Sequence, residues 1–242
     1  MTITLDAPKQ RNAQLPSMWI ELERLATTLP DSVRVVVLAG SGPAFSAGLD
    51  RGMLAPSGVE GEPDLLKLAA SDPAALADEI AGFQRAFTAW QETSALVVAA
   101  VQGPAVGAGF QLALAADLRV VSTDVRFIMA EVGLGLVPDL GGTGALTRLV
   151  GPSRALEMCL TGRPIGADEA VSVGLAVLAV EPEELRATVD DLVGAVLAAP
   201  ESTVREMIGL FRGIQSRTAT EQWQREREAQ SRLLNALATA AR

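Results

Sequence analysis

Two periodicities alternate along this chain. Apolar residues fall at helical spacing at Met18, Leu22, Leu25 and Leu29, which predicts a helix over residues 15–29 after a short opening strand. Residues 33–39 follow as a largely β-branched run that stops at Gly40-Ser41-Gly42-Pro43, the pattern of a buried strand entering a turn. The alternation then repeats. A helix is expected from Pro73 to about Gln91, with Leu76, Ile80, Phe83, Phe87 and Trp90 on one side, then a strand over 96–101, a helix running to Asp117, and strands over 118–122 and 125–129. Beyond Gly151 helical spacing prevails, over 153–161, 167–173, 183–198, 201–213 and 220–240, with one strand near 175–180. The fold class is therefore α/β, built from repeated strand-turn-helix units. Between Arg51 and Ser71 the pattern loosens around Gly52, Pro56, Gly58, Gly61 and Pro63, and this segment reads as a mobile loop beside a site.

The most informative stretch joins the strand at 96–101 to the next helix through Gly103-Pro104-Ala105-Val106-Gly107-Ala108-Gly109. The first N–H groups of a helix have no internal partner and sit at the positive end of its dipole, so a turn of this kind can hold an oxygen that becomes anionic during a reaction. The spacing is neither G-x-G-x-x-G nor a phosphate loop ending in Gly-Lys-Ser/Thr. The competing explanation is that the small residues only allow close packing of helix on strand.

Composition narrows the chemistry. The chain has no His and no Tyr, and its only lysines are Lys9 and Lys67, so acid/base work falls to carboxylates. A Ser-His-Asp triad and histidine metal sites are impossible, and the single Cys159 cannot build a thiolate cage or an intrachain disulfide; it reads as a small buried apolar residue. A net charge of −9 argues against nucleic acid or an anionic membrane as partner. The apolar runs are too short to span a bilayer and the first residues lack the pattern of a secretion signal, so a cytoplasmic protein is expected.

Glu131 and Asp139 stand as isolated charges in apolar, glycine-rich surroundings, where desolvation raises a carboxyl pKa toward the range useful for proton transfer. Each has an ordinary structural explanation as well. Asp139 fits the N-cap of a helix over 141–150, and Glu131 fits a buried ion pair with Arg148 or Arg154.

Phe45-Ser46-Ala47-Gly48-Leu49-Asp50, the turn at 103–109, Glu131, and Gly135-Leu136-Val137-Pro138-Asp139-Leu140-Gly141-Gly142-Thr143, in this order, resemble the enoyl-CoA hydratase/isomerase (crotonase) family. The resemblance implies a crotonase-like spiral of repeated ββα units over 1–182 and a C-terminal helical region over 183–242 used for trimer formation, giving a homotrimer or homohexamer. It implies an acyl-CoA thioester as substrate with no further cofactor or metal. It places the oxyanion-hole N–H donors at Ala47 and Ala108, CoA-binding groups at Lys9, Arg11, Ser46, Ala47, Leu49 and Asp50, and the catalytic acids at Glu131 and Asp139. One departure matters: family hydratases carry a second glutamate where this chain has Gln111, which can position a water or substrate but cannot accept its proton. The resemblance therefore favours double-bond isomerisation of an enoyl-CoA by Glu131 and Asp139, with hydration of a 2-enoyl-CoA as the rival and a non-catalytic acyl-CoA binder as the alternative of another class.

Overall fold

The computed structural model describes residues 1–240. Among the described residues seven strands form: β1 (Thr2–Leu5), β2 (Val35–Gly40), β3 (Leu96–Val101), β4 (Pro104–Val106), β5 (Leu118–Ser122), β6 (Arg126–Ile128) and β7 (Leu178–Val180). The main sheet has the order β1-β2-β3-β5-β7 with every neighbouring pair parallel, and β4 pairs with β6 in a second small parallel sheet. In the register Val37 lies against Val98 and Ala100 against Val120.

The unbroken apolar runs are explained by burial on both faces. Val36, Leu38, Val97, Ala99, Val101 and Val121 face the larger core. That core is closed by α1 (Pro16–Thr27), α3 (Pro73–Thr88) and α4 (Ala108–Ala115), with α2 (Leu65–Ser71) just before α3. Val35, Val37, Val98, Ala100 and Val120 face a second core. Of the remaining helices, α5 (Gly142–Val150), α6 (Pro152–Thr161) and α7 (Ala167–Ser172) lie between β6 and β7, and α8 (Leu185–Ala198), α9 (Glu201–Phe211) and α10 (Ala219–Ala240) follow. Leu185 and Val189 of α8 fill the second core. Trp19 of α1 packs its ring at 5.0 and 5.7 Å from Phe83 and Phe87 of α3.

Two internal ties hold the layers in place. Arg119 of β5 is buried, donates from Nε to Leu175 O at 2.6 Å and from Nη1 to Ala113 O and Ala116 O at 3.3 and 2.7 Å, and so caps the C-terminal end of α4. Burial pulls its pKa down to about 10. Arg212, just past α9, donates to Asp117 Oδ1 at 2.8 Å, while Asp117 Oδ2 accepts from the Val97 amide at 2.8 Å.

Two segments differ from expectation. The loop expected at 51–71 contains a 3-10 turn over Arg51–Leu54 and the helix α2, each started by an aspartate that accepts from a backbone amide, Asp50 from Gly52 at 2.7 Å and Asp64 from Lys67 at 2.9 Å. The glycine-rich turn contains the strand β4, too short to show a period of its own. No helix among the described residues is long and apolar enough to cross a membrane.

Candidate active site

The site is built where two loops leave the C-terminal ends of β2 and β3. Phe45 N donates to Gln102 O at 2.8 Å, Ser46 N to Pro104 O at 3.1 Å, and Val106 N to Ser46 O at 2.9 Å. Gly48 adopts φ +84, and a Cβ there would lie 2.4 Å from Val106 O and 3.4 Å from Ala108 N. Only glycine lets this loop rest against the start of α4. Gly107, at φ +51, hands its own amide to Ile128 O at 2.8 Å, so the amide donors offered by the turn begin with Ala108.

The donor expected at Ala47 is corrected by this geometry. Its N–H already donates to Arg11 O at 2.8 Å. Two residues on, Leu49 sits between Gly48, whose carbonyl accepts from Gln14 N at 2.7 Å, and Asp50, whose amide donates to Gln14 O at 2.8 Å. A residue bracketed in this way in a parallel bridge turns its own N–H to the opposite side. Among the described residues neither Leu49 N–H nor Ala108 N–H has a protein acceptor. The spacing of the motif alone cannot show this, because the direction of each amide depends on pairing with residues 11–14.

The acids are also placed by backbone. Glu131 opens a 3-10 turn over Glu131–Leu134, after β6, with one carboxylate oxygen accepting from Gln111 Nε2 at 2.8 Å. The other, Oε2, is buried with no partner among the described residues. Burial, the largest cause, and the nearby Asp139 charge raise the Glu131 pKa against the hydrogen bonds from its own backbone amide and Gln111. Asp139 is raised chiefly by burial. Neither carboxylate takes up the ordinary role. Gly141, at φ +87, is the N-cap of α5 in place of Asp139, and no ion pair joins Glu131 to Arg148 or Arg154 among the described residues.

Gln111, at the end of the first turn of α4, is buried. Its Oε1 accepts from Leu140 N at 2.9 Å and Gly142 N at 3.2 Å, which turns the Nε2 group toward Glu131. Gln84 of α3 donates to Asp139 O at 2.6 Å and fixes the same turn from the other side. Gln111 thus orients Glu131 and the 139–142 turn through its carbonyl and one Nε2 hydrogen, and its second Nε2 hydrogen has no acceptor among the described residues. Cys159 is half-buried, with its thiol raised by burial and by the Glu131 charge, an environment that disfavours a thiolate.

Of the residues expected to grip CoA, Lys9 and Arg11 are exposed at the turn over Pro8–Gln10. Ser46 is corrected: its hydroxyl is buried, donates to Asn12 O at 2.7 Å and accepts from Gln14 Nε2 at 3.0 Å and Gly48 N at 3.1 Å, while its amide and carbonyl stitch the loops. Asp50 is corrected likewise, since its carboxylate caps Gly52 and its amide binds Gln14 O. The backbone carbonyls of Ala47 and Leu49 carry no donor from the described residues and stay available.

Sequence reasoning passed over Asn12 and Gln14. Asn12 is buried, accepts from Ala7 N at 2.9 Å and donates to Ser41 O at 2.9 Å and Ala44 O at 2.8 Å, fixing the pair of left-handed residues Arg11 (φ 52) and Asn12 (φ 54). A non-glycine pair with positive φ leaves no mark in a hydropathy pattern.

A family model for enoyl-CoA hydratase/isomerase matches residues 1–241. A crotonyl-CoA hydratase of Syntrophomonas wolfei is 33% identical over 204 residues, covering 83% of this chain and 73% of the relative. A Mycobacterium leprae protein named a probable enoyl-CoA hydratase is 38% identical over 186 residues, 76% of this chain, and the match spans 61% of that relative, under two thirds of its length. Among solved structures, a Thermobifida fusca protein crystallised with acetoacetyl-CoA superposes with a TM-score of 0.92 at 44% identity, covering 97% of this chain and 91% of the other. The chain belongs to the enoyl-CoA hydratase/isomerase family and has the crotonase fold.

Proposed function

We propose that this enzyme acts on enoyl-CoA thioesters, with Glu131 as its acid/base group and with Leu49 N–H and Ala108 N–H as the pair of donors that stabilise negative charge on the thioester oxygen. One observation carries the reading: a carboxylate oxygen, Glu131 Oε2, is buried without a partner in the same site as two unpartnered amides. A buried charge of this kind costs stability and is kept where chemistry uses it. The acetoacetyl-CoA bound in the Thermobifida fusca relative supports the substrate class. Lys9 and Arg11 supply positive charge for the CoA phosphates, and the Ala47 and Leu49 carbonyls suit donors on its adenine and pantetheine parts.

The names of the relatives support hydration. In that reaction Glu131 takes a proton from water as the oxygen bonds to the β-carbon, and returns that proton to the α-carbon as the enolate collapses to the 3-hydroxyacyl thioester, which leaves Glu131 a carboxylate again. A second reading, double-bond isomerisation, is favoured by Gln111 and Asp139. The chain has no second glutamate to activate water, and Asp139 is instead a second acid raised by burial. One carboxylate would remove a proton next to the thioester, and the other carboxylic acid would protonate the γ-carbon of the dienolate.

The test is incubation with 2-enoyl-, 3-enoyl- and dienoyl-CoA esters and identification of the products. Hydration gives a 3-hydroxyacyl ester from the 2-enoyl substrate, and isomerisation gives the 2-enoyl ester from the 3-enoyl one. Absence of both products, and of exchange of the α-proton with heavy water, would leave a binder without catalysis. We further infer that copies of the chain associate through α10, which buries only Ala229 and leaves Trp223, Leu234 and Leu237 exposed, in the trimer or dimer of trimers that the family resemblance implies.

A further inference from the structure

We propose that Gln14 is a positioning residue for the oxyanion hole, linking the helix pair α1/α3 to the Leu49 amide through a closed chain of buried hydrogen bonds. The proposal rests on the reading of Leu49 N–H as a donor to the thioester. Trp19 Nε1 donates to Gln14 Oε1 at 2.7 Å, Gln14 Nε2 donates to Ser46 Oγ at 3.0 Å, and Ser46 Oγ donates to Asn12 O at 2.7 Å while accepting from Gly48 N at 3.1 Å. Gln14, Asn12 and Ser46 are all 0% exposed and Trp19 is 3% exposed, so water cannot replace any of these partners.

The backbone of Gln14 completes the arrangement. Its N–H and C=O bind Gly48 O and Asp50 N, on either side of Leu49. Side chain and backbone of one residue thus hold the segment 46–50 from two directions, and the Leu49 N–H is left bare. A donor to a developing oxyanion acts through its orientation before the reaction begins, so small displacements weaken it. At its other end the chain of bonds reaches Trp19, whose ring lies against Phe83 and Phe87. Gln14 therefore connects the packing of α1 on α3 to the thioester site.

Gln14→Leu keeps the volume and removes both side-chain hydrogen bonds. It leaves the Trp19 N–H buried without an acceptor, so the companion variant is Gln14→Leu with Trp19→Phe, which removes that donor too, and Ser46→Ala breaks the chain at a third place. The readouts are kcat and KM separately, and the red shift in ultraviolet absorbance that a bound dienoyl-CoA shows when its carbonyl is polarised. The expected result is a fall in kcat of about tenfold, KM within about twofold, and a reduced shift in every variant that keeps the native circular dichroism, as for loss of aim in an oxyanion donor. Native kcat together with a native shift in the folded double variant overturns the proposal, and if neither glutamine variant folds, the same result in Ser46→Ala overturns it. Absence of any shift in the unaltered protein refutes the hole itself, which separates failure of the underlying reading from failure of the role given to Gln14.

Discussion

At Glu131 and Asp139 one physical cause, desolvation, has opposite consequences for activity and for stability. Glu131→Gln should lower kcat by about 10²- to 10⁴-fold with CoA-ester affinity little changed, measured by steady-state kinetics and titration calorimetry. Because burial raises the Glu131 pKa, the rate of any step that uses it as a base should rise with pH through a midpoint above the usual glutamate value, as read from kcat/KM profiles. A carboxyl whose pKa is higher folded than unfolded opposes folding once it ionises. That cost is absent below the unfolded pKa of about 4 and is complete above the folded pKa. Asp139→Asn should therefore raise Tm at pH 7 by about 1–3 °C, with the gain shrinking toward pH 4 in thermal scans. Both acids were legible in the sequence because they break an apolar pattern. Asn12 and Gln14 were not, since a buried amide is recognised only by its partners, and Ala47 was misread because sequence does not give the direction of an N–H group.

The helix α4, which begins at the candidate site, is held from its far end. Arg119 satisfies carbonyls of Ala113, Ala116 and Leu175, and Arg119→Met would leave all three buried without a donor. The expected loss is about 3 kcal/mol, read by urea denaturation. A second change acts at the near end: Gly48→Ala places a methyl 2.4 Å from Val106 O at φ +84, and should abolish binding of CoA esters in calorimetry. Most strands and helices were visible as periods of two kinds. The exceptions, β4 and the helices after Asp50 and Asp64, are short elements fixed by pairing and by side-chain capping rather than by a repeated apolar face.

For the molecule as a whole, the parallel sheet follows from strands that are apolar without alternation, and α8 covers the face that α1, α3 and α4 leave open. The sequence also showed that the last helix was amphipathic, but not what it packs against. In the fold α10 contacts α9 while Trp223, Leu234 and Leu237 remain exposed, and Met207, Phe211 and Ile214 are exposed just before it. Surfaces of this kind on a folded chain are covered in associated proteins. Truncation after Arg217 should convert an oligomer into monomers, with light scattering as the measure; an unchanged mass would place the subunit contact elsewhere.

The seat of Gln111 has an evolutionary consequence. Peptide N–H groups of Leu140 and Gly142 hold its side-chain oxygen, and they would hold a glutamate oxygen equally well. Glutamine and glutamate codons differ only in their first base, C or G. A single transversion would thus install another acid 2.8 Å from the Glu131 oxygen, in a socket already made, where the two would have to share a proton or move apart around a solvent molecule. Lineages carrying this sequence stand one genetic step from a two-glutamate catalyst.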